Sequence, residues 1–305
     1  MILNPRNVQK AGITIMSYAM SGEGKTGQIG VLAEDVYAKT GKKTLLYSID
    51  YGGWETVSHL CGDDGIIDVV PMLGMAMPWE WSDHIAQGHI PFADTWSALN
   101  NETYGLVAFD GATGMGDILL KDLADKAGTG RNPTAQSPAI KFKEGDTAIN
   151  NNAPAHYGVV QQHLMASMRK SSLIPVDMVM WTALAKGGAG DEATQELVVG
   201  PQMVGKAITA QIPQIFVYTF RLAAIPGNPG MGTVASTRLY LHPHMEGVSA
   251  GSKGLANPRG PVGEDLPDYI EPASIPEALR LIAAAKASAK EKFHARLLEA
   301  KGKMS

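Results

Sequence analysis

A lysine, a hydroxyl and several glycines lie close together near the start of the chain, in SYAMSGEGKTGQIG, residues 17–30. The Lys25 ammonium can neutralise phosphate, the Thr26 oxygen can ligate Mg²⁺, and glycines let backbone N–H groups turn toward an anion. The usual pattern is G-x-x-x-x-G-K-[ST], and Ala19 replaces its first glycine. Because alanine is the next smallest residue, we predict a loop that binds ATP and Mg²⁺, formed by Ser21, Gly22, Glu23, Gly24, Lys25, Thr26 and Gly27.

This loop needs a strand before it and a helix behind it, and the flanking patterns predict both. GITIMSYAM, residues 12–20, is apolar and β-branched at its start, which is typical of a short buried strand. The stretch 26–40 has apolar residues at helical spacing and ends before Gly41. TLLYSI, residues 44–49, predicts a second buried strand. The first fifty residues therefore predict a βαβ unit, which implies parallel strands joined by a right-handed crossover.

Acidic residues at strand ends are the expected partners of a magnesium–nucleotide site. Asp110 directly follows the predicted strand Tyr104–Phe109 and is the candidate that would bind the metal together with Thr26. A hydrolase also needs a group that orients water. Asp50, at the end of the second strand, and Glu55, in the next predicted helix, are both candidates for this role, and both could instead be capping residues.

The remaining pattern predicts a mostly parallel sheet with antiparallel edge strands and flanking helices. We expect a core over residues 1–245 and a C-terminal basic loop and helix over 246–305. The other predicted elements are flexible loops at 111–154 (with a short helix near 118–126) and 186–201, helices at 157–171 and 275–303, a strand at 177–182, and antiparallel-type strands at 215–222 and 237–242.

Bulk composition excludes several classes of protein. The chain has 305 residues with a formal net charge of −4, so any polyanion contact must use local basic segments. Its one cysteine, Cys61, has no partner for an internal disulfide. We also find no apolar run that could span a membrane and no signal-peptide core, so a cytoplasmic location is expected.

Several segments together resemble the RecA-type P-loop ATPase core. In order they are AMSGEGKT, SIDYGG, LVAFDGAT, MVMWTA and GPQMVGKAITAQIPQIFVYTFRL, within residues 10–245. The chain is most similar to compact phage nucleotide-binding proteins of this type, including RecA-like single-strand annealing proteins. The resemblance implies an α/β fold of the RecA type, ATP hydrolysis, and location in the host cytoplasm if a phage encodes the protein.

The resemblance assigns roles position by position. It makes Asp110 the Walker B acid and places Thr182 where RecA-like proteins carry a polar residue that senses the γ-phosphate. RecA proteins have a glutamate directly after the acid of the second strand, whereas Tyr51 follows Asp50 here. Slow hydrolysis is a consequence that we expect from this departure.

The segment GSKGLANPRGPVG, residues 251–263, is similar to an element of RadA- and DnaB-type ATPases in which a lysine and an arginine reach the neighbouring subunit's nucleotide. Lys253 and Arg259 are the matching positions, and this role requires a homo-oligomer with nucleotide at its subunit interfaces. An ordinary solvated basic loop is the alternative.

The two predicted loops correspond to the DNA-facing loops of the resembled family. They are partly basic, as segments that follow a phosphodiester backbone are. Single-stranded DNA, and a single-strand-binding protein, are therefore expected partners. The basic residues are Lys121, Lys126, Arg131, Lys141, Lys143 and Lys186.

Three functions follow from these expectations. The first is a DNA-dependent ATPase that promotes annealing or recombination. The second is a helicase- or packaging-type motor, although the chain has no further domain for strand separation. The third is a nucleotide-gated regulatory or structural protein with little turnover.

Overall fold

The computed structural model describes residues 12–49, 53–62, 64–71, 102–128, 154–172, 174–186, 198–204, 211–212, 214–227, 235–241, 253–254 and 266–302. Ten strands and four long helices occur in these ranges. The strands are β1 (Ile13–Ala19), β2 (Lys43–Ser48), β3 (Ile67–Pro71), β4 (Tyr104–Asp110), β5 (Met178–Lys186), β6 (Val198–Pro201), β7 (Tyr218–Ile225), β8 (Ser236–Tyr240), β9 (Lys253–Gly254) and β10 (Tyr269–Ile270). The helices are α1 (Lys25–Thr40), α2 (Ala112–Gly128), α3 (Pro154–Ser171) and α4 (Ile275–Gly302), and Gly53–Leu60 forms a 3₁₀ helix.

The strands form one mixed sheet in the order β10-β8-β7-β1-β5-β4-β2-β3, with β6 and β9 attached at the end of β5. The strands from β7 to β3 are parallel, and β8 and β10 add antiparallel pairs at one edge. The predicted α/β class with a mostly parallel sheet and flanking helices is confirmed. Among the described helices, none is long and apolar enough to cross a membrane.

Two hydrophobic layers cover the sheet. Helices α2 and α3 pack on one face through apolar residues such as Leu119, Leu164 and Met168. On the other face, α1 packs together with α4, and Leu32 and Ile282 belong to the same buried cluster. Residues 266–285 of the predicted C-terminal loop and helix therefore share the sheet and the core of the preceding residues.

The opening βαβ unit is confirmed, with each boundary within one residue of the prediction. Gly41 ends α1 with φ 69°, and its N–H donates to the Tyr37 carbonyl at 2.8 Å. A residue with a left-handed backbone at this position is the usual end of a helix, and glycine adopts it without steric cost. The parallel pairing of β2 with β4 then brings Ser48 opposite Asp110 at the carboxyl edge of the sheet.

The predicted loop at 111–154 is wrong in its first part, because Ala112–Gly128 forms helix α2. Small residues made this segment resemble a loop, but they allow close packing. A Cβ added at Gly116 would lie 2.4 Å from the Val204 Cγ2 atom. Lys121 and Lys126 therefore belong to a helix, and residues 129–153 lie outside the described part of the chain.

Two further predictions are corrected at the other end of the sheet. The predicted loop at 186–201 ends in strand β6, which pairs antiparallel with β5, while 187–197 lies outside the described residues. The predicted strand at 215–222 corresponds to β7, which pairs antiparallel with β8 as predicted but is also parallel to β1, so it is an interior strand rather than an edge strand. Phe220 and Leu222 are fully buried, which is typical of an interior strand covered on both faces.

Candidate functional site

The turn between β1 and α1 is built by glycines with left-handed backbone angles. Gly22 has φ 79° and Gly24 has φ 85°, and residues that carry a Cβ rarely adopt this backbone conformation. A Cβ added at Gly22, Gly24 or Gly27 would meet no atom within 4 Å. Backbone conformation thus requires glycine at positions 22 and 24, and all three glycines leave open space around the turn. Ser21 is exposed in the same turn.

Helix α1 begins in this turn without a side-chain cap. Gly24 is the N-cap residue, it makes no side-chain cap hydrogen bond, and the first turn contains no acidic residue. The N–H groups of a first helical turn lack intrahelical partners, and the helix dipole adds about half a positive charge there. This helix start is therefore suited to an anion such as phosphate.

The Lys25 side chain folds back over the turn. It is 8% exposed, and its Nζ donates to the Met20 carbonyl at 3.0 Å and the Ala19 carbonyl at 3.5 Å. These two carbonyls hold the ammonium beside the glycine turn. A phosphate bound in the turn could accept a hydrogen bond from the same ammonium after a small side-chain movement.

Thr26 and Asp110 are in direct contact at the carboxyl edge of the sheet. The Thr26 hydroxyl donates to Asp110 Oδ2 at 2.7 Å, and the Asp110 residue is 1% exposed. Because the hydroxyl donates its proton to the carboxylate, its oxygen lone pairs remain available to a cation. A hydroxyl and a carboxylate are oxygen ligands of the kind that Mg²⁺ takes together with phosphate and water.

Thr182 fixes the other oxygen of the same carboxylate. Its hydroxyl donates to Asp110 Oδ1 at 2.5 Å and accepts from the Gly111 N–H at 3.0 Å. Strand β5 lies between β1 and β4. Thr182 therefore lies between β1, which leads into the glycine turn, and β4, which ends in Asp110. The sequence-based prediction that Thr182 belongs to the site is consistent with this placement.

The described residues contain no group of three or more His, Cys, Asp or Glu that could hold a metal ion. Thr26 and Asp110 fit a cation that takes most of its remaining ligands from a bound phosphate and water. The site thus suits Mg²⁺ accompanied by a nucleotide better than a metal held by protein ligands alone.

Glu23 has a role that its place in the motif did not indicate. Its carboxylate accepts from the Met20 N–H at 2.7 Å and from the Ala224 N–H, near the end of β7, at 3.2 Å. The side chain therefore ties the turn to a neighbouring strand. The Glu23 N–H donates to the Met20 carbonyl at 3.3 Å.

The described contacts do not test the roles predicted for four other residues. Glu55 is exposed on the 3₁₀ helix and makes none of the hydrogen bonds described above. Asp50 and Arg259 lie outside the described residues, although Ile49, just before Asp50, donates its N–H to the Asp110 carbonyl at 2.9 Å. Lys253 pairs through its backbone with Val198 in the short β6–β9 contact. The roles proposed for these four residues stay predictions.

Two further polar residues link the site to distant segments, and neither was predicted from the sequence. Gln28 is 8% exposed; its Nε2 donates to the Ala273 carbonyl at 2.9 Å, and its Oε1 accepts from the Ile275 N–H at 3.0 Å. A glutamine within the apolar stripe of α1 was the available signal. Gln28 thus joins the helix of the phosphate loop to the start of α4.

Thr113 makes a similar link three residues after Asp110. Its hydroxyl donates to the Gln202 carbonyl at 2.8 Å and accepts from the Leu184 N–H at 3.0 Å. The start of α2 is therefore bonded to β5 and to the residue that directly follows β6 in the β5–β6 hairpin. No spacing in the sequence indicated this contact, because it depends on how α2 packs beside β5.

Comparisons with known proteins add little to this geometry. No family model matches the chain, and no curated protein matches it. Among solved structures, it is similar to the KaiC-like protein PH0186 from Pyrococcus horikoshii OT3, with a TM-score of 0.39 and 9% sequence identity. That match covers 75% of this chain and 78% of the other. A likeness of this size carries no argument, so the functional conclusion depends on the site.

Proposed function

We propose that this chain is a P-loop ATPase that binds Mg²⁺–ATP between the Gly22–Gly24 turn, the start of α1 and the end of β4. The observation that carries the proposal is the Thr26–Asp110 hydrogen bond of 2.7 Å beside an uncapped helix start. The bond joins a hydroxyl and a carboxylate at the mouth of an open glycine turn, which is the arrangement that a magnesium–triphosphate requires.

Each side chain has a separate task in this proposal. Backbone N–H groups of the turn and Lys25 bind the phosphates, while Thr26 and Asp110 hold Mg²⁺, which would neutralise charge on the phosphate oxygens. Thr182 keeps the Asp110 carboxylate in one orientation through its short hydrogen bond. Glu23 holds the turn against β7 through its hydrogen bonds to the Met20 and Ala224 N–H groups.

The nucleotide site is tested by calorimetric titration with Mg²⁺–ATP and Mg²⁺–GTP. We expect binding by the unaltered chain and a loss of at least about 100-fold in affinity for Lys25→Ala, since a charge-assisted phosphate contact is removed. Lys39→Ala is the matched control, because Lys39 is an exposed lysine on the same helix, paired with Asp35. Equal binding by both variants would refute the proposal.

The finer function that we favour is a slow, DNA-dependent ATPase of the RecA type that promotes annealing of single strands. It is supported by the sequence resemblance and by Thr113, which bonds the start of α2 to the β5–β6 hairpin. Through this link, a shift in the position of Asp110 can be transmitted to the β5–β6 hairpin. The resemblance assigns the residues that connect these two strands to DNA contact.

Steady-state ATP hydrolysis with and without single-stranded DNA tests this finer function. Stimulation that disappears in both Lys25→Ala and Arg259→Ala would support an oligomeric DNA-dependent ATPase. Nucleotide binding without DNA-stimulated turnover would instead support the nucleotide-gated regulatory protein, a function that the Tyr51 position favours because RecA proteins carry a glutamate there. Fast turnover with strand separation would support the motor.

A further inference from the structure

Helix α4 leaves the protein core halfway along its length. Its first part is buried through residues such as Ala278, Ile282 and Ala285. Lys286 then contacts the sheet, since its Nζ donates to the Tyr218 hydroxyl at 3.1 Å and lies 4.9 Å from that ring's centroid. Beyond it, residues 287–302 continue as a helix for about 24 Å at 1.5 Å per residue.

In the distal half of α4, residues 287–302, all side chains from Lys290 to Arg296 are exposed, and large apolar side chains are among the exposed ones. Phe293 is 61% exposed and Leu298 is 71% exposed. Phe293 follows Ala285 by eight residues, so it continues the helical face that is buried closer to the core. The distal half is also basic, since it contains Lys290, Lys292, Arg296 and Lys301 against Glu291 and Glu299.

The exposed face of α1 has complementary properties. Val31, Glu34 and Ala38 are all exposed and follow the i, i+3, i+7 spacing of a single helical face. Tyr37 beside them is 44% exposed. Glu55 is exposed on the 3₁₀ helix, which packs against α1 where Gly30 approaches Val57. This face, the α1 face, is therefore apolar and acidic, while the distal half of α4 is apolar and basic.

The two surfaces cannot meet within one chain. Gln28 joins the starts of α1 and α4 at the carboxyl edge of the sheet, and Tyr218 contacts α4 at the opposite edge. The two helices therefore run in the same direction, side by side. A continuous helix that passes the amino edge of the sheet cannot turn back onto the α1 face.

We propose that the distal half of α4 binds the α1 face of a second copy of this chain. Phe293 would pack on Val31 and Ala38, and Arg296 would pair with Glu34. Because each copy offers a different surface to its neighbour, the contact is heterologous, and repetition would build a ring or a filament. The contact lies away from the glycine turn, so it does not depend on bound nucleotide.

The arrangement favours a protein partner over lipid or nucleic acid. Phe293 and Leu298 are five residues apart, so they lie about 140° apart around the helix axis. A lipid surface would require the apolar residues on one side. Glu291 and Glu299 interrupt the basic residues, which would weaken contact with a phosphodiester backbone.

Sedimentation velocity of the full chain over a concentration series, at low and high salt, tests the proposal. We expect self-association that weakens with salt. Phe293→Ser, Arg296→Glu and Glu34→Arg should each weaken it by about tenfold or more, because the first removes apolar contact and the others place like charges together. The double variant Arg296→Glu/Glu34→Arg should restore most of the affinity, since it exchanges the two charges.

Controls separate this contact from folding and from the nucleotide site. Arg169→Glu makes the same change in net charge as Arg296→Glu, at an exposed residue of α3 on the other face of the sheet, and should associate normally. Lys25→Ala should also associate normally, so failure of the ATPase proposal and failure of this one give different results. Circular dichroism confirms that each variant is folded. The proposal would be overturned if the chain stayed monomeric at every concentration, or if the double variant did not recover the association. It would also be overturned if a monomer bound anionic vesicles or DNA through Phe293.

Discussion

Thr26 and Asp110 are 84 positions apart in the chain, and their side chains form a hydrogen bond of 2.7 Å. Thr26 is in the first turn of α1, and Asp110 is the last residue of β4. The parallel arrangement of β1, β5 and β4 brings the helix start and the strand end to one edge of the sheet. This edge is where ligand sites of α/β proteins occur.

Thr26→Ala should weaken Mg²⁺-dependent ATP binding by about 10- to 100-fold, because one oxygen ligand and one donor to a buried carboxylate are removed. Thr26→Ser keeps the hydroxyl and should bind within about threefold of the unaltered chain. Calorimetric titrations with Mg²⁺ and with EDTA provide the measurement. Equal losses in both buffers would contradict a role in metal binding.

Thr182→Val should lower the free energy of unfolding by about 2–3 kcal/mol, because it removes a donor from buried Asp110 and an acceptor from the Gly111 N–H. The substitution nearly preserves the volume of the side chain. Thr182→Ser retains the hydroxyl and serves as the control. Urea unfolding measures the difference, and equal stability of the two variants would show that the hydroxyl is dispensable.

Gly24→Ala should destabilise the protein by about 1–2 kcal/mol, since φ 85° is costly for a residue with a Cβ. Gly27→Ala is the matched control, because it lies within α1 and an added Cβ would meet nothing within 4 Å. It should be neutral or stabilising by up to about 1 kcal/mol. Thermal unfolding measures the stability of both variants. If Gly27→Ala were less stable than Gly24→Ala, a strained backbone at Gly24 would be excluded.

Gln28→Leu should release the start of α4 from α1. The part-buried Ala273 carbonyl and the buried Ile275 N–H would each lose a partner, and the buried group would cost about 1–3 kcal/mol. Amide hydrogen exchange over 273–286 should become faster, while exchange in β4 and β5 changes little. Gln28→Glu keeps an acceptor for the Ile275 N–H, so its effect should be smaller.

Acid should weaken the attachment of the turn before α4. Hydrogen bonds from Ser236 and Arg238 lower the pKa of Glu271 below its ordinary value. A carboxyl whose pKa is lower in the folded state stabilises the fold above its unfolded pKa, and this contribution is lost as the pH falls through the folded pKa. The free energy of unfolding should therefore fall more steeply below about pH 5 in the unaltered chain than in Glu271→Gln. Urea titrations across this pH range measure the two slopes.

Local signals in the sequence were sufficient for the elements that depend on neighbouring residues. Apolar runs predicted β1, β2 and β4, and Gly41 marked the end of α1, because strand burial and helix termination are set within a few positions. The motif around Lys25 and Thr26 was also readable, since a phosphate loop draws its donors from consecutive residues. Asp110 was identified because an acid after a buried strand is unusual unless it lies at a sheet edge.

Contacts between distant segments were decided by tertiary structure. A short helix was predicted near 118–126, but the first part of α2 was assigned to a loop because Gly116, a residue that disfavours helices, is needed for the approach of Val204. Gln28, Glu23 and Thr113 bond to backbone groups far away in the chain, and a backbone partner leaves no pattern of residue types. The residues that could form the phosphate site were therefore determined by the sequence itself. Their attachment to α4, β7 and the β5–β6 hairpin was decided by packing, because such bonds depend on where main-chain atoms come to lie.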